Sequence, residues 1–210
     1  MPLISADHTP AQQHLSRRDR VLKRLIRAVG PCTLRYERNR FAALARSIIS
    51  QQISTVAARA IRSRVEAALD GKGLTAAGIL SLSDDELRRA GLSASKLKSL
   101  RDLAEQVDSG AVRLRSIHKL PDEEVIDALI PIRGIGRWTA QMFLIFSLGR
   151  LDILPVDDLG LRAGVQDQYG LDELPHKEQL SELAEPWRPY RSIATWYLWR
   201  SRGFVPQSDK

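Results

Sequence analysis

The tightest constraint on this chain is the tripeptide Gly134-Ile135-Gly136, set inside a stretch from Leu129 to Gly164 that reads LIPIRGIGRWTAQMFLIFSLGRLDILPVDDLGLRAG. Two glycines around one apolar residue let the backbone turn sharply and approach a partner that any Cβ would hold away. The run Trp138 to Leu148 that follows is mostly apolar and free of Gly and Pro, so it predicts a buried helix starting at the glycines. Such a helix start offers unpaired N–H groups and a positive dipole, which together suit a phosphate. Asp157 and Asp158, just after Pro155, are expected at the start of the next helix, where a carboxylate caps or catalyses.

The rest of the chain predicts more helices. Val21, Leu22, Leu25, Ile26 and Val29 recur at helical spacing within Arg17 to Val29, and Gly30-Pro31 stops that helix. Phe41 to Ile49 repeats the pattern; after Ser50-Gln51-Gln52-Ile53, Ser54 caps a helix through Val65 to Leu69. Ser83-Asp84-Asp85-Glu86 is a capping box, Ser93 opens a helix to about Val107, and Pro121 with three acids opens another. No strand-length alternation of β-branched and polar residues occurs, so the fold class is all-α. Residues 1–16 (MPLISADHTPAQQHLS), polar with two prolines, are expected to form a flexible N-terminal arm on a domain of 17–210. Within it one lobe is expected over about 35–150 and a second over about 17–34 plus 151–210, with the 149–155 connection as the crossing point.

Charge narrows the partner. A net charge of +7 points to a polyanion or to a merely basic surface, and residues 1–40 hold nine Lys or Arg against three acids. Arg188, Arg191, Arg200 and Arg202 form a second cluster among Trp187, Tyr190, Trp196, Tyr197 and Trp199. Charge runs of this kind are more often solvated faces than binding sites. Cys32 is the single cysteine and the four histidines are scattered, which excludes a disulfide framework and a cysteine-held zinc or iron–sulfur site within the chain. The longest apolar run, Met142 to Leu148, is too short to span a bilayer, so no membrane partner is expected and the cytoplasm is the default.

Each motif has a bland reading beside its chemical one. Gly-x-Gly alone is a tight turn; with an apolar centre, a helix on either side and Arg137 directly after, it becomes a helix–hairpin–helix, whose N–H groups grip a DNA backbone without reading sequence. The hairpin carbonyls of Ile130, Ile132 and Gly134 permit a monovalent cation that bridges to phosphate. The Ser50–Ile53 quartet is a polar loop, or it projects Gln52 into the base stack to fill the space of a flipped nucleotide. Asp157 and Asp158 are both caps, or one caps and one acts, because sequence neighbours point apart. The tryptophans are core, or one offers its π face to a cationic base.

The block LIPIRGIGRWTAQMF…LPVDDLGL, with IISQQIS upstream and WRPYRSIATWYLW downstream, resembles the alkylation-repair 3-methyladenine DNA glycosylases of the helix–hairpin–helix superfamily, over roughly Arg40 to Trp199. The resemblance implies a two-lobed all-α glycosylase fold without an N-terminal β domain, and a cleft between the lobes that takes double-stranded DNA holding a damaged base. It implies Asp158 as the catalytic residue and Asp157 as a structural cap. Gly134, Ile135, Gly136, Arg137 and Thr139 match the phosphate-binding hairpin, Gln52 the intercalating position, and Trp138, Met142, Leu159 and Trp199 the base pocket. The lyase members carry a Schiff-base lysine where this chain has Trp138, so hydrolysis without strand cleavage is implied. Arg133 replaces the common proline before the first hairpin glycine, and Met142 and Leu159 stand where the bacterial inducible enzyme has tyrosines.

The expected activity is excision of alkylated purines such as 3-methyladenine and 7-methylguanine by a monomeric enzyme that needs no cofactor beyond a sodium or potassium ion at the hairpin. Excision of ethenoadenine or 1-methyladenine, and non-catalytic binding of DNA structure, stand as the alternatives. The expected location is the cytoplasm, with the nucleoid, for a bacterial protein, and the nucleus for a eukaryotic one.

Overall fold

The computed structural model describes residues 4–203, 205 and 206. In chain order they form β1 (Ile4–Ser5), α1 (Thr9–Arg18), α2 (Arg20–Val29), β2 (Arg35–Tyr36), α3 (Arg40–Ser50), α4 (Thr55–Ala68), α5 (Ala76–Ser81) and α6 (Asp84–Arg89). There follow α7 (Ala94–Asp108), α8 (Asp122–Leu129), α9 (Arg137–Phe146), α10 (Leu159–Tyr169), α11 (Lys177–Leu183) and α12 (Arg191–Ser201). The fold is all-α, as the spacing predicts. Its strand content among the described residues is a two-residue antiparallel ladder pairing Ile4 with Tyr36 and Ser5 with Arg35.

Caps read from sequence set many of the boundaries. Ser54, Ser83 and Ser93 accept from the third helical N–H of α4, α6 and α7, and the reciprocal bond from Ser83 N–H to Glu86 completes the capping box. Two expectations change. Residues 9–16 are not a loose arm: Pro10 sits in the first turn of α1, and Ala11 and Leu15 are buried. The predicted Arg17–Val29 helix is broken at Asp19, which takes extended backbone and caps α2 by accepting from Val21 N–H (2.8 Å) and Leu22 N–H (3.0 Å). Aspartate's strength as a cap outweighs its tolerance inside a helix.

The chain forms two compact units. One comprises 1–37 and 144–210, the other 38–143, so the division falls within α9 rather than in the 149–155 connection. In the first unit, α10 packs on α12, and α12 on α1 and α2. Gly164 lets α10 come close to α12, because a Cβ there would lie 2.9 Å from the Leu198 carbonyl oxygen. Leu15, Leu22, Leu161, Val165, Trp187, Tyr197 and Trp199 are buried in this core. The Asp19 carboxylate also accepts from Tyr169 Oη (2.5 Å) and Trp187 Nε1 (2.9 Å), which fixes α2 against the later helices. In the second unit α7 is the central helix, packed on α3, α5 and α6, with Leu100, Leu103 and Ala104 fully buried.

Candidate functional site

The hairpin forms where the sequence places it. α8 ends at Leu129, Gly134 takes a left-handed φ of +79°, and α9 opens at Arg137. The first intrahelical bond of α9 runs from Ala140 N–H to Gly136 O, so the N–H groups of Gly136, Arg137 and Thr139 precede the ladder. Ile135 plays another part than expected: its side chain is buried and its N–H donates to Ile132 O (3.0 Å), so it anchors the turn rather than facing a phosphate. The Thr139 side chain is buried as well, which leaves its backbone as the group on offer. Arg137 is paired with Glu123, Nη2 lying 2.6 and 2.7 Å from the two carboxylate oxygens, both side chains being exposed.

Three side chains that sequence reasoning passed over lie against this hairpin, and two of them hold it by hydrogen bonds. Gln51 Nε2 donates to Gly134 O (2.8 Å), and Asp102 Oδ2 accepts from Arg133 N–H (2.6 Å) and from Gln106 Nε2 (3.0 Å). Ser99 Oγ lies where a Cβ on residue 134 would come within 2.7 Å, so glycine there is demanded by space as well as by φ. One signal for Asp102 was legible: proline has no N–H, so the arginine at 133 brings a donor that needs an acceptor.

Gln52 lies beside this clamp, between α3 and α4. It is exposed and takes φ +56°, a conformation costly for a residue with a Cβ. Strain of this kind persists where the surroundings over-determine it. Its neighbours Ile53 and Val56 are also exposed, leaving an apolar rim at the loop tip.

The carboxylate pair resolves differently from expectation. Asp158, not Asp157, caps α10: its Oδ1 accepts from Leu161 N–H (2.6 Å) and also from Trp199 Nε1 (2.9 Å). Asp157 is half exposed and ion-paired with Lys177. Extended backbone at Asp158 directs its side chain back over the first turn, while Asp157, one residue earlier, turns to α11. Asp158 is only 6% exposed, so two donors on one oxygen offset the cost of removing the carboxylate from water. Gly160 makes room for them, since a Cβ there would lie 3.1 Å from Asp158 Oδ1 and 3.4 Å from the Trp199 ring.

The four base-pocket residues divide. Trp138, 37% exposed, is the second residue of α9, and Leu159, 65% exposed, opens α10. Met142 and Trp199 are fully buried, and Trp199 stacks on Phe146 with ring centroids 5.9 Å apart and planes 16° apart. Neither offers a face to a base: α9 and α12 turn these positions into the core, and Trp199 serves through its N–H edge. No group of three or more His, Cys, Asp or Glu is placed to hold a metal, and no helix is long and apolar enough to cross a membrane, among the described residues.

Comparison with known proteins identifies the family. Residues 45–189 match the family described as HhH-GPD superfamily base excision DNA repair protein. DNA-3-methyladenine glycosylase 1 of Schizosaccharomyces pombe is 37% identical over 198 residues, covering 92% of this chain and 87% of that protein. The alkylbase DNA glycosidase-like protein mag2 of the same yeast is 34% identical over 200 residues, covering 93% and 94%. Among solved structures, a DNA-3-methyladenine glycosidase from Bacillus halodurans superposes with a TM-score of 0.84 at 37% identity, covering 97% of this chain and 93% of that one. The Schizosaccharomyces pombe 3-methyladenine DNA glycosylase in complex with abasic DNA superposes with a TM-score of 0.80 at 35% identity, covering 96% and 100%. With the hairpin, the loop and the buried carboxylate in their expected order along the chain, this one belongs to the HhH-GPD superfamily of base excision DNA repair proteins.

Proposed function

We propose that this protein is a monofunctional DNA glycosylase that hydrolyses the N-glycosidic bond of alkylated purines such as 3-methyladenine and 7-methylguanine in double-stranded DNA, acting as a monomer. The observation that carries the reading is the buried Asp158 carboxylate, held on one oxygen by Leu161 N–H and Trp199 Nε1–H. An alkylated purine already bears positive charge, so its C1′–N bond breaks with the electron pair leaving on the base, and little acid assistance is needed. The barrier that remains is oxocarbenium character on the sugar, which a preorganised carboxylate stabilises with no reorganisation cost. Water adds at C1′ and loses a proton, leaving an abasic sugar. Trp138, where lyase members carry lysine, provides no amine for a Schiff base, so the strand stays intact.

Affinity comes from elsewhere. The N–H groups of Gly136, Arg137 and Thr139 are aimed at a phosphate, and the carbonyls of Ile130, Ile132 and Gly134 are a donor set for sodium or potassium. Ile132 O and Gly134 O each accept one hydrogen bond already, from Ile135 N–H and Gln51 Nε2, which leaves each a second lone pair. Gln52 fills the stack when the damaged nucleotide is extruded, a step costing a few kcal/mol and least for weakly paired lesions.

The test is release of free base from a duplex holding 3-methyladenine, with the unaltered protein and with Asp158→Asn. Release by the unaltered protein alone is expected; equal release by both removes Asp158 from the mechanism. Lesion binding without any release makes Asp158 a cap only and the protein a non-catalytic binder. Strand nicking without added alkali overturns the monofunctional reading.

A further inference from the structure

The two basic clusters of the sequence have opposite fates in the fold. The C-terminal cluster is largely neutralised: Arg188 pairs with Asp152 and Glu185, Arg191 with Asp152, and Arg202 with Asp167, while the Arg200 guanidinium lies 5.8 Å from the Trp196 ring centroid. The N-terminal one is not. Arg17, Arg18, Arg20, Lys23, Arg24 and Arg27 are all exposed. None of the six enters an ion pair among the described residues. The acid among them, Asp19, is spent on Val21 N–H, Leu22 N–H, Tyr169 Oη and Trp187 Nε1.

On α2 the cations have a register. Arg20, Lys23, Arg24 and Arg27 follow i, i+3, i+4, i+7, one face of a helix, while Leu22 and Leu25 are buried on the other. Just before this stripe, Arg17 and Arg18 with His14 and Tyr190 line an open cleft of about 510 Å³. A row of unneutralised like charges destabilises its own helix, so the arrangement is costly unless a polyanion meets it.

We infer that the exposed face of α2, bordered by Arg17 and Arg18, is a second phosphate-binding surface that engages the backbone of duplex DNA without reading sequence, separately from the hairpin. The inference rests on the DNA-repair reading given above. The chemistry fixes the partner as a phosphodiester backbone, which either the flanks of the damaged duplex or a second DNA segment supplies. Each phosphate neutralised by such a row contributes about 0.9 to the slope of log affinity against log salt.

The experiment compares two triple variants that lose the same charge from the full chain. One is Arg20→Gln, Lys23→Gln, Arg27→Gln; the other is Arg88→Gln, Arg188→Gln, Arg202→Gln, whose cations are paired with acids. Arg24 is left alone because it also bonds Gln168 O. Binding to undamaged duplexes of short and long length is titrated against salt, with melting temperature and circular dichroism checking the fold. The α2 triple is expected to lower the salt slope by about 2 to 3 and the low-salt affinity roughly tenfold or more, with the paired triple shifting the slope by less than about 1. Weakening on both lengths assigns the contact to the bound duplex itself, and weakening confined to the long one assigns it to outer flanks or a second segment. Equal weakening by the two triples overturns the surface, since net charge alone then explains it. An unchanged slope with lost capture on phosphatidylserine vesicles also overturns it, in favour of a lipid surface. Base release by the unaltered protein, followed in parallel, reports on the glycosylase reading independently of these outcomes.

Discussion

The surroundings of Asp158 and of Gln52 are built on opposite physical terms. Asp158 is buried, relaxed and held by two donors on one oxygen; Gln52 is exposed and strained, on a loop whose neighbour Gln51 reaches across to the hairpin. A group that must stabilise developing charge gains from being fixed and dry, because electrostatic attraction grows as water is excluded. Under the proposed function Gln52 enters a base stack, a part that needs a side chain standing clear of the protein, as this exposed one does. The same contrast separates Asp158 from Asp157, adjacent in sequence and unlike in environment.

The largest effect that would break the contrast is at Asp158. Asp158→Asn keeps an amide oxygen able to cap α10, removes the charge and puts an NH2 group in place of the second oxygen, so base release should fall at least ~100-fold with little change in melting temperature. Unfolding of this variant would mean that the carboxylate serves the fold. Trp199→Phe comes next: it deletes the Nε1–H donor while leaving a ring beside Phe146, and the loss of one charge-assisted bond of about 1.5–3 kcal/mol should lower the single-turnover rate roughly ten- to hundredfold. Unaltered affinity for abasic DNA would sharpen the assignment of Trp199 to orienting Asp158; a fall in affinity with rate preserved would return it to the base pocket.

Gln52→Gly probes the other side. Glycine takes positive φ without penalty, so chemical denaturation should show about 1 kcal/mol of added stability, while retention of abasic product should weaken. A loss of stability would mean that the Gln52 side chain, and not the loop backbone, holds the conformation. The smallest effect belongs to Asp157→Asn. An exposed ion pair is worth about 0–1 kcal/mol, so stability should move by less than that and the rate of base release should stay the same.

Much of this was legible in the residues. Ser54, Ser83 and Ser93 marked helix starts because a hydroxyl before an apolar period has one dominant use, and Gly134 marked the hairpin because its left-handed φ and the closeness of Ser99 leave no room for a Cβ. Local readings failed where two local rules competed. Arg17 to Val29 keeps helical periodicity through Asp19, and periodicity does not reveal that Tyr169 and Trp187, far along the chain, would draw that carboxylate out of the helix. Residues 9–16 looked polar, and the burial of Leu15 became visible only with the helices it packs against.

By itself, the sequence determined the helical class, the hairpin, the exposed loop at Gln52 and the presence of a carboxylate pair before α10, because each depends on neighbours within a turn or two. Tertiary structure decided which aspartate is buried, that Trp199 gives an edge rather than a face, that Gln51 and Asp102 hold the hairpin, and which arginines keep their charge unpaired. These are matters of which side chains meet from distant positions, and burial, pairing and desolvation exist only once they have met.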